Sequence, residues 1–408
     1  MLRFAPSPTG DMDINSLRVA LINYIVAKQR SEALLIRVED TDKEKNIENK
    51  DQEILLLLEK FGIEYSQVVY QSDNIKYHQQ IVAQLLIDKK AFACFCSDEI
   101  IEAKKAAAKK DNKPYKYDGA CENLSDAEVL EHPSDFVVRV KKPEGDDLNG
   151  IDSFIIMQKN KDASYNFACS MDDMLSDISM VIRSEKYLSD TPKQIYLREL
   201  LGYDKTIEYL HLPSILNGKD TPSVISLLEQ GFVPEAITNY LLFMGNKTPK
   251  EIFSLAEAIE WFDISNIADS PVEFDMEMLR YFNREQIVQM DALRLSQFIG
   301  FSDSEIGEVA KLYTQEGSTI NEIKPKIDAI FAPKSEDEAN VKIIKEAIKE
   351  IGILEEFDAL VSAISERTGL KEEELSQPLR VVLTGAESGP NLKDIYLLIK
   401  NYLMEIVK

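Results

Sequence analysis

Three cysteines and a tyrosine have the residue types and the spacing of a metal site. Cys94 and Cys96 are separated by one residue, and Tyr117 and Cys121 follow later with three residues between them. Zinc takes four nitrogen, oxygen or sulfur ligands in a tetrahedron, which the three thiols and Tyr117 can supply, with water or Asp118 as other choices for the fourth ligand. The alternative interpretation is three buried, inert cysteines, because free cysteine is commonly buried.

Charged side chains stand at the ends of two apolar runs. Arg37 and Glu39 close the run that begins at residue 34, and Arg183 and Glu185 close the run that contains Val181. Planar guanidinium groups suit carboxylates, so arginines at such places can bind a carboxylate ligand. Taken one pair at a time, however, the ordinary interpretation is an ion pair at the surface.

The elements that must position these groups begin with a strand, a helix and a strand. We predict strands at residues 2–5 and 34–38 and a helix at 17–28, whose apolar residues recur with the helical period. Asp13 precedes this helix in the sequence Asp-Ile-Asn-Ser, which is a good N-cap with an acid favourable to the helix dipole. A right-handed crossover of this kind predicts a parallel sheet with a ligand crevice at the carboxyl ends of its strands.

The predicted secondary structure changes near residue 213 from mixed strands and helices to helices alone. Before that point, two strands of an insertion within the sheet domain are predicted at residues 136–140 and 153–157. After it, the helical period continues to the end, with helices predicted at 234–244, 251–261 and 339–351.

Composition sets wider bounds. A length of 408 residues predicts two or three domains, and no apolar run approaches the ~20 residues of a membrane helix. Four cysteines do not make a disulfide framework, so a cytoplasmic location is expected. Met1 leads straight into the first strand, which predicts no signal peptide. A net charge of −24 argues against non-specific nucleic-acid binding, so a nucleic-acid partner would need a locally basic face.

Five sequence strings point to a family. They are RFAPSPTG (3–10), YNFAC (165–169), DD (172–173), VIR (181–183) and LSDTPKQ (188–194). In their order and near their spacing, these strings resemble the glutamyl-tRNA synthetases, class I enzymes that activate glutamate with ATP. GFVPEAI (231–237) and QPLRVVLTG (377–385) extend the resemblance over nearly the whole chain.

The resemblance implies an α/β fold with a Rossmann-like, nucleotide-binding parallel sheet domain and an insertion, followed by a helical stem and an all-α anticodon-binding domain. The implied domains are 1–212 (catalytic type), with the acceptor-binding insertion at about 72–164, then 213–285 (stem) and 286–408 (anticodon-binding). Many members of the family carry a zinc knuckle in the insertion. Its implied ligands here are Cys94, Cys96, Tyr117 and Cys121.

The resemblance also assigns a glutamate site. Glutamate carries two carboxylates and an ammonium, so a selective pocket needs arginines, a neutral donor and an acid. Carried over onto this chain, Arg183 holds the side-chain carboxylate with the help of Arg3 and Tyr165, and Glu39 and Ser7 hold the ammonium. The other residues of reactive types are expected to be structural: Cys169, His78, His132 and His211.

Two positions and one loop depart from the family's ATP-binding signatures. At the start of the first helix the family has His-Ile-Gly, whereas this chain has Asp13 and Asn15 in place of the histidine and the glycine. A phosphate there would meet a negative charge, and a side chain where close approach to the backbone is needed. The family's lysine loop is shortened to residues 217–223, in which Lys219 alone remains and Pro222 stiffens the chain.

Two smaller departures from the family pattern also argue against full activity. Residues 183–187 read RSEKY where the family has RGEDH. The segment 144–150 is shorter than the family's counterpart, which bears on the acceptor end of tRNA.

These departures favour a glutamyl-tRNA synthetase-like protein that binds L-glutamate, the tRNA for glutamate or glutamine, or both, with adenylation and tRNA charging impaired or lost. One alternative is an active glutamate–tRNA ligase with atypical signatures, which would use ATP and magnesium. Another is a regulatory partner of a true synthetase or of an amidotransferase. No membrane partner is expected.

Overall fold

The computed structural model describes residues 1–143, 151–218, 221–334 and 339–408. The chain divides into two compact units, one of residues 1–216 and 262–272 and the other of residues 217–261 and 273–408. The elements of the first unit are β1 (Leu2–Phe4), α1 (Ile14–Gln29), β2 (Leu34–Val38), α2 (Lys50–Lys60), β3 (Gln67–Tyr70), α3 (Ile75–Ile87), β4 (Ala91–Cys94), α4 (Asp98–Lys110), α5 (Asp126–Glu131), β5 (Val137–Val140), β6 (Ile155–Met157), α6 (Tyr165–Leu175), β7 (Met180–Ser184), α7 (Thr191–Leu200), β8 (Glu208–Leu212) and β9 (Ile215–Leu216).

Among the described residues, five strands form the predicted parallel sheet, in the order β3-β2-β1-β7-β8. The chain order runs outward from β1 on one side and from β7 on the other, so the strand order reverses between these two. Open α/β sheets bind their ligands at the carboxyl ends of the strands at such a reversal. The strand predicted at 34–38 is confirmed as β2, and all of its residues are buried.

Helix α1 begins three residues earlier than predicted. It starts at Ile14, and Asp13 is its N-cap, with the Asp13 carboxylate accepting a hydrogen bond from the Ser16 amide at 2.7 Å. This bond satisfies one of the first-turn amides that lack a partner within the helix, which is why the polar residues before Leu17 are already helical.

The insertion forms a sheet of its own. Strands β4, β5 and β6 pair antiparallel, with β5 and β6 slightly shorter than predicted. Their apolar side chains pack with buried residues of α3, α6 and α7 in one core. Cys94 is the last residue of β4, so the first predicted metal ligand lies at the end of this sheet.

The second unit is helical, as predicted, and β10 (Val272–Glu273) lies where the chain passes into it from the first unit. Its helices are α8 (Val224–Glu229), α9 (Pro234–Phe243), α10 (Leu255–Trp261), α11 (Met276–Gln289), α12 (Ala292–Phe298), α13 (Ser304–Leu312), α14 (Ile320–Phe331), α15 (Ala339–Ile351), α16 (Phe357–Thr368), α17 (Glu372–Thr384), α18 (Leu392–Ile399) and α19 (Leu403–Ile406).

The helix predicted at 251–261 is shorter in the structure. The Ser254 hydroxyl accepts from the Glu257 amide at 3.2 Å, and the Glu257 carboxylate accepts from the Ser254 amide at 2.9 Å. This reciprocal capping fixes the start of α10 at Leu255. Judged by length and hydropathy, none of the helices in the described ranges qualifies as a membrane span.

Candidate active site

A cavity of about 410 Å³ opens at the carboxyl ends of β1, β2 and β7, where the strand order reverses. Its volume is typical of sites for small molecules. The five residues assigned to glutamate binding all line it, together with Asp13 and Asn15 from the start of α1: Arg3, Ser7, Glu39, Tyr165 and Arg183. The fold therefore brings together strings that are far apart in the sequence.

Arg183, near the end of β7, is 5% exposed and contacts only neutral groups. Its Nη2 donates to Thr191 Oγ1 at 2.6 Å and to the Tyr187 carbonyl at 3.3 Å. Nη1 donates to Gln194 Oε1 at 3.1 Å, and Nε donates to His211 Nε2 at 3.4 Å. These bonds orient the guanidinium without neutralising it, and Arg183 makes no ion pair with any described residue. A buried charge without a counter-ion is costly, so this site favours an anionic ligand.

Arg3 is fixed at the cavity wall by a buried ion cluster. Asp173 Oδ1 accepts from Arg3 Nε at 3.1 Å and from Arg37 Nη1 at 2.6 Å. Burial alone favours protonation of Asp173, but the charges of the two arginines outweigh it and hold the pKa of this carboxyl below its usual value. Arg37 is fully buried, so the interpretation of Arg37 and Glu39 as a surface pair is wrong.

Glu39 follows β2 and faces the same cavity. Its Oε1 accepts from Arg37 Nη2 at 3.3 Å and from Cys169 Sγ at 3.2 Å. Burial and the charge of Glu39 raise the pKa of the Cys169 thiol, so the thiol remains a neutral donor. Cys169 therefore orients Glu39 in addition to packing. Ser7 lies exposed on the cavity wall.

Tyr165, the first residue of α6, supplies a neutral hydroxyl. Its ring stacks on Tyr187 with centroids 5.5 Å apart and an angle of 28° between the planes. Desolvation of the phenol and the negative charge of Glu39 raise its pKa, so it stays protonated near neutral pH. A protonated phenol can donate to a carboxylate ligand.

The two atypical residues of α1 have specific contacts. The Asp13 carboxylate caps the helix, as described above. The Asn15 side chain binds the backbone of β9 twice, with Nδ2 donating to the Ile215 carbonyl at 3.2 Å and Oδ1 accepting from the Ile215 amide at 2.7 Å. Lys219 and the short segment 144–150 lie outside the described residues.

Lys186 is a further cation on the cavity wall that the sequence did not single out as a site residue. Its ammonium lies 4.8 Å from the centroid of the Tyr187 ring. It makes no ion pair with a described residue, whereas Asp11 on the same wall is paired with Lys50 at 2.7 Å. Lys186 and Arg183 are thus cations of this cavity without an acidic partner in the described part of the chain.

The predicted metal ligands also converge. The sulfur atoms of Cys94, Cys96 and Cys121 all lie within 4.8 Å of one another. The Tyr117 hydroxyl lies 3.3 Å from Cys94 Sγ and 3.7 Å from Cys96 Sγ. Asp118 instead pairs with a lysine, Lys104, at 2.7 Å, so the phenol is the better placed fourth group. Four donor atoms in one cluster fit the ligand set of a metal ion.

The surroundings of the cluster shift the pKa values of two of its thiols in opposite directions. Burial favours the neutral form of Cys94, but hydrogen bonding by Tyr117 and the nearby Arg139 lower its pKa. Burial and the neighbouring thiols raise the pKa of Cys96 to about 11. Arg139 lies over the Tyr117 ring at 4.0 Å from its centroid and so holds the phenol in place.

Comparison with known proteins gives the family of this chain. Residues 1–281 match the model of the class I tRNA synthetase (E and Q) catalytic domain, and residues 276–401 match an anticodon-binding domain. Glutamate–tRNA ligase 2 of Sulfurimonas denitrificans is 50% identical over 432 aligned positions that cover 100% of both chains. The chain belongs to the glutamate–tRNA ligase family.

Other relatives agree. Glutamate–tRNA ligase 1 of Nitratiruptor sp. is 48% identical, and glutamate–tRNA ligase 2 of Campylobacter jejuni subsp. doylei is 46% identical, each over 100% of both chains. The pairwise alignment with the S. denitrificans protein has 432 positions against 408 residues here, so about two dozen of its positions have no residue in this chain.

The fold matches solved members of the family. A crystal structure of a glutamate tRNA ligase from Elizabethkingia meningosepticum, in complex with its amino acid, superposes with a TM-score of 0.80 at 23% identity, over 100% of this chain and 98% of that one. At this identity the likeness concerns the fold, and it agrees with the predicted class I architecture.

The residues that the family resemblance assigned to glutamate binding line the cavity, but the resemblance gave no role to the residues that hold them in place. Asp173, Thr191 and Gln194 lie in strings that carried the resemblance, yet no role was assigned to them. His211 was expected to be structural, and the structure places it against Arg183 at 3.4 Å. No signal within the segment could have found this contact, because it depends on the pairing of β8 with β7.

Proposed function

We propose that this chain is a glutamate–tRNA ligase, which activates L-glutamate with ATP and joins it to tRNA. The observation that carries the proposal is the buried Arg183 guanidinium, which is held by neutral acceptors and faces a cavity of small-molecule size. A side-chain carboxylate would supply the missing negative charge, and the neutral amide of glutamine would not. The relatives' names support the same function.

The remaining pocket residues have complementary roles. Arg3 uses only its Nε on Asp173 among the described residues, so its terminal nitrogens can assist Arg183 at the ligand carboxylate. Tyr165 donates from its neutral hydroxyl. Glu39 and Ser7 then receive the ammonium, which suits a carboxylate that Cys169 and a buried arginine already orient.

ATP binding is proposed at the start of α1. A helix N-terminus attracts phosphate, but Asp13 adds a negative charge there. Lys186 on the same wall can compensate for the negative charge of Asp13. The family pattern has an acid at the position of Lys186 and a histidine at the position of Asp13, so this chain has the opposite charge at the first position and an acid at the second. We infer weak ATP binding in which Lys186 contacts the phosphates, and magnesium accompanies the nucleotide.

A second candidate is a protein that binds glutamate and tRNA without adenylation. The contacts of Asp13 and Asn15 favour it, since one side chain caps α1 and the other is bonded to β9. The relatives favour the active ligase, because nothing in their names indicates lost activity. A regulatory partner role stays a prediction.

The domain roles are part of the proposal. We assign catalysis to residues 1–212, acceptor binding to the insertion at about 72–164, a stem to 213–285 and anticodon binding to 286–408. The partner is the tRNA for glutamate or glutamine. Since the whole chain carries −24, salt dependence of tRNA binding should reflect a local basic face.

ATP–pyrophosphate exchange with glutamate and tRNA present separates the two candidates. The ligase proposal predicts exchange that requires glutamate and is not supported by glutamine or aspartate. Background exchange in a preparation that still binds glutamate would favour the second candidate.

Zinc at the cysteine cluster is proposed as structural. Cys94, Cys96, Cys121 and Tyr117 would hold it, and it would fix the segment between β4 and β5. Protein purified without chelator is expected to contain about one zinc per chain. Cys121→Ser should remove most of it, whereas Cys169→Ser, at a cysteine outside the cluster, should not. Wild-type protein with negligible metal by elemental analysis would leave three inert thiols as the better interpretation.

A further inference from the structure

His211 lies opposite Arg183 in adjacent parallel strands. The two residues are paired in the register of β7 and β8. Arg183 Nε donates to His211 Nε2 at 3.4 Å, and Thr191 Oγ1 lies 2.9 Å from the same nitrogen. The His211 ring stacks on Tyr209 with an angle of 4° between the planes, which fixes its orientation.

The hydrogen-bond directions determine the tautomer. A guanidinium nitrogen only donates, so His211 Nε2 must accept from Arg183. Thr191 Oγ1 accepts from Arg183 Nη2 at 2.6 Å, so its own hydrogen is available for His211 Nε2. Both contacts require an unprotonated Nε2, and the ring proton therefore sits on Nδ1. In this state the side chains of Arg183, Thr191 and His211 are each hydrogen-bonded to the other two.

We propose that neutral His211 is the positioning residue that keeps Arg183 in the geometry that binds the glutamate side chain, and that protonation of His211 releases this geometry and weakens glutamate binding. The inference rests on the glutamate site of the proposed function. An imidazolium has a hydrogen on both ring nitrogens, so Nε2 would turn from an acceptor into a donor facing two other hydrogens.

The surroundings of His211 oppose the charged form. The charged or titratable side chains that face it, directly or through the Tyr209 ring, come from β7, β8 and α7 and are Arg183, Tyr209 and Arg198. None of these is a carboxylate. The short helix Glu185–Asp190 also packs against β8, but its Glu185 accepts from the Ser214 amide at 2.9 Å, and no described carboxylate pairs with His211. Desolvation, followed by the charge of Arg183, lowers the pKa of His211 below 6.5. The site is therefore intact at neutral pH and is lost as the pH falls through this lowered value.

Calorimetry of glutamate binding between pH 4.0 and 7.5, with the His211 pKa located by NMR titration of the same protein, tests the proposal. In wild-type protein the affinity for glutamate should fall about tenfold per pH unit below the His211 pKa, because the binding of one proton to His211 is coupled to the loss of glutamate binding. The glutamate side chain itself ionises near ~4.3, and its contribution to the pH dependence is measured in His211→Gln. His211→Gln, which offers a non-titrating oxygen near the position of Nε2, should bind glutamate more tightly than His211→Phe at pH 7.5 and should lose the decrease in affinity centred on the His211 pKa. His211→Phe keeps a ring on Tyr209 but should bind about tenfold more weakly at every pH.

A second measurement needs no variant. The chain has three histidines, so nitrogen-edited NMR of labelled wild-type protein can resolve each ring, with His78 and His132 as internal references. We expect neutral His211 with its proton on Nδ1 at pH 7. An Nε2-protonated or charged ring at pH 7, or an unchanged pH slope in His211→Gln, would overturn the inference. Absence of glutamate binding by wild-type protein at pH 7.5 would instead reject the proposed glutamate site, and the positioning role with it.

Discussion

Arg183→Ala is expected to weaken L-glutamate binding by roughly 10²–10³-fold. The substitution leaves the buried side-chain carboxylate of the ligand without its charged partner, which costs about 3–5 kcal/mol, and each 1.4 kcal/mol is tenfold in Kd. Isothermal calorimetry at pH 7.5 measures the change. Binding of glutamine, which lacks the side-chain carboxylate, should be weak in both proteins.

Two further arginine variants make the result specific. Arg183→Lys keeps the charge but loses the planar fork, so it should bind with an intermediate affinity. Arg30→Ala removes an arginine of the same unit that pairs with Glu208 at 2.8 Å and does not line the cavity, so glutamate binding should not change. If Arg183→Ala bound glutamate like wild-type protein, the carboxylate would have to lie elsewhere.

Asp13→Asn is expected to tighten ATP binding by up to ~10³-fold. Two unit charges ~4 Å apart repel by roughly 4 kcal/mol at an effective dielectric of 20, and this repulsion disappears in the variant. Asparagine is as good an N-cap as aspartate, so the stability of α1 should hardly change. Nucleotide titration of the two proteins in the same magnesium buffer measures the effect.

The matched variants separate charge from capping. Asp13→Ala should also bind ATP more tightly, but its melting temperature should fall by a few degrees, because a lost N-cap costs about 1 kcal/mol. Lys186→Met should weaken ATP binding. Weaker ATP binding in Asp13→Asn would contradict the account, and it would show that this carboxylate holds magnesium beside the phosphates.

Local patterns predicted the elements well. The strand at 34–38 and the helix at 339–351 are observed with the predicted bounds, because an uninterrupted apolar run and a regular helical period are properties of the segment itself. The cysteine cluster also converges as its spacing suggested. The start of α1 was misplaced because a cap made by Asp13 turns polar residues into the first helical turn.

Groups that depend on distant partners could not be predicted from the residues alone. The sequence alone suggests that Arg37 forms a surface ion pair with Glu39. Its main partner is instead Asp173, which lies 136 residues away, and both side chains are fully buried. The role of His211 depends likewise on the pairing of β7 with β8. Such contacts are fixed by strand order, which a single segment does not reveal.

The most direct test of the ligase proposal is ATP–pyrophosphate exchange by wild-type protein with glutamate and tRNA, run beside Asp13→Asn. The account predicts exchange that requires glutamate, is not supported by glutamine, needs high ATP in wild-type protein, and saturates at much lower ATP in Asp13→Asn. Exchange at background in both proteins, with glutamate binding intact by calorimetry, would contradict the account and identify the chain as a glutamate-binding protein that does not adenylate its ligand.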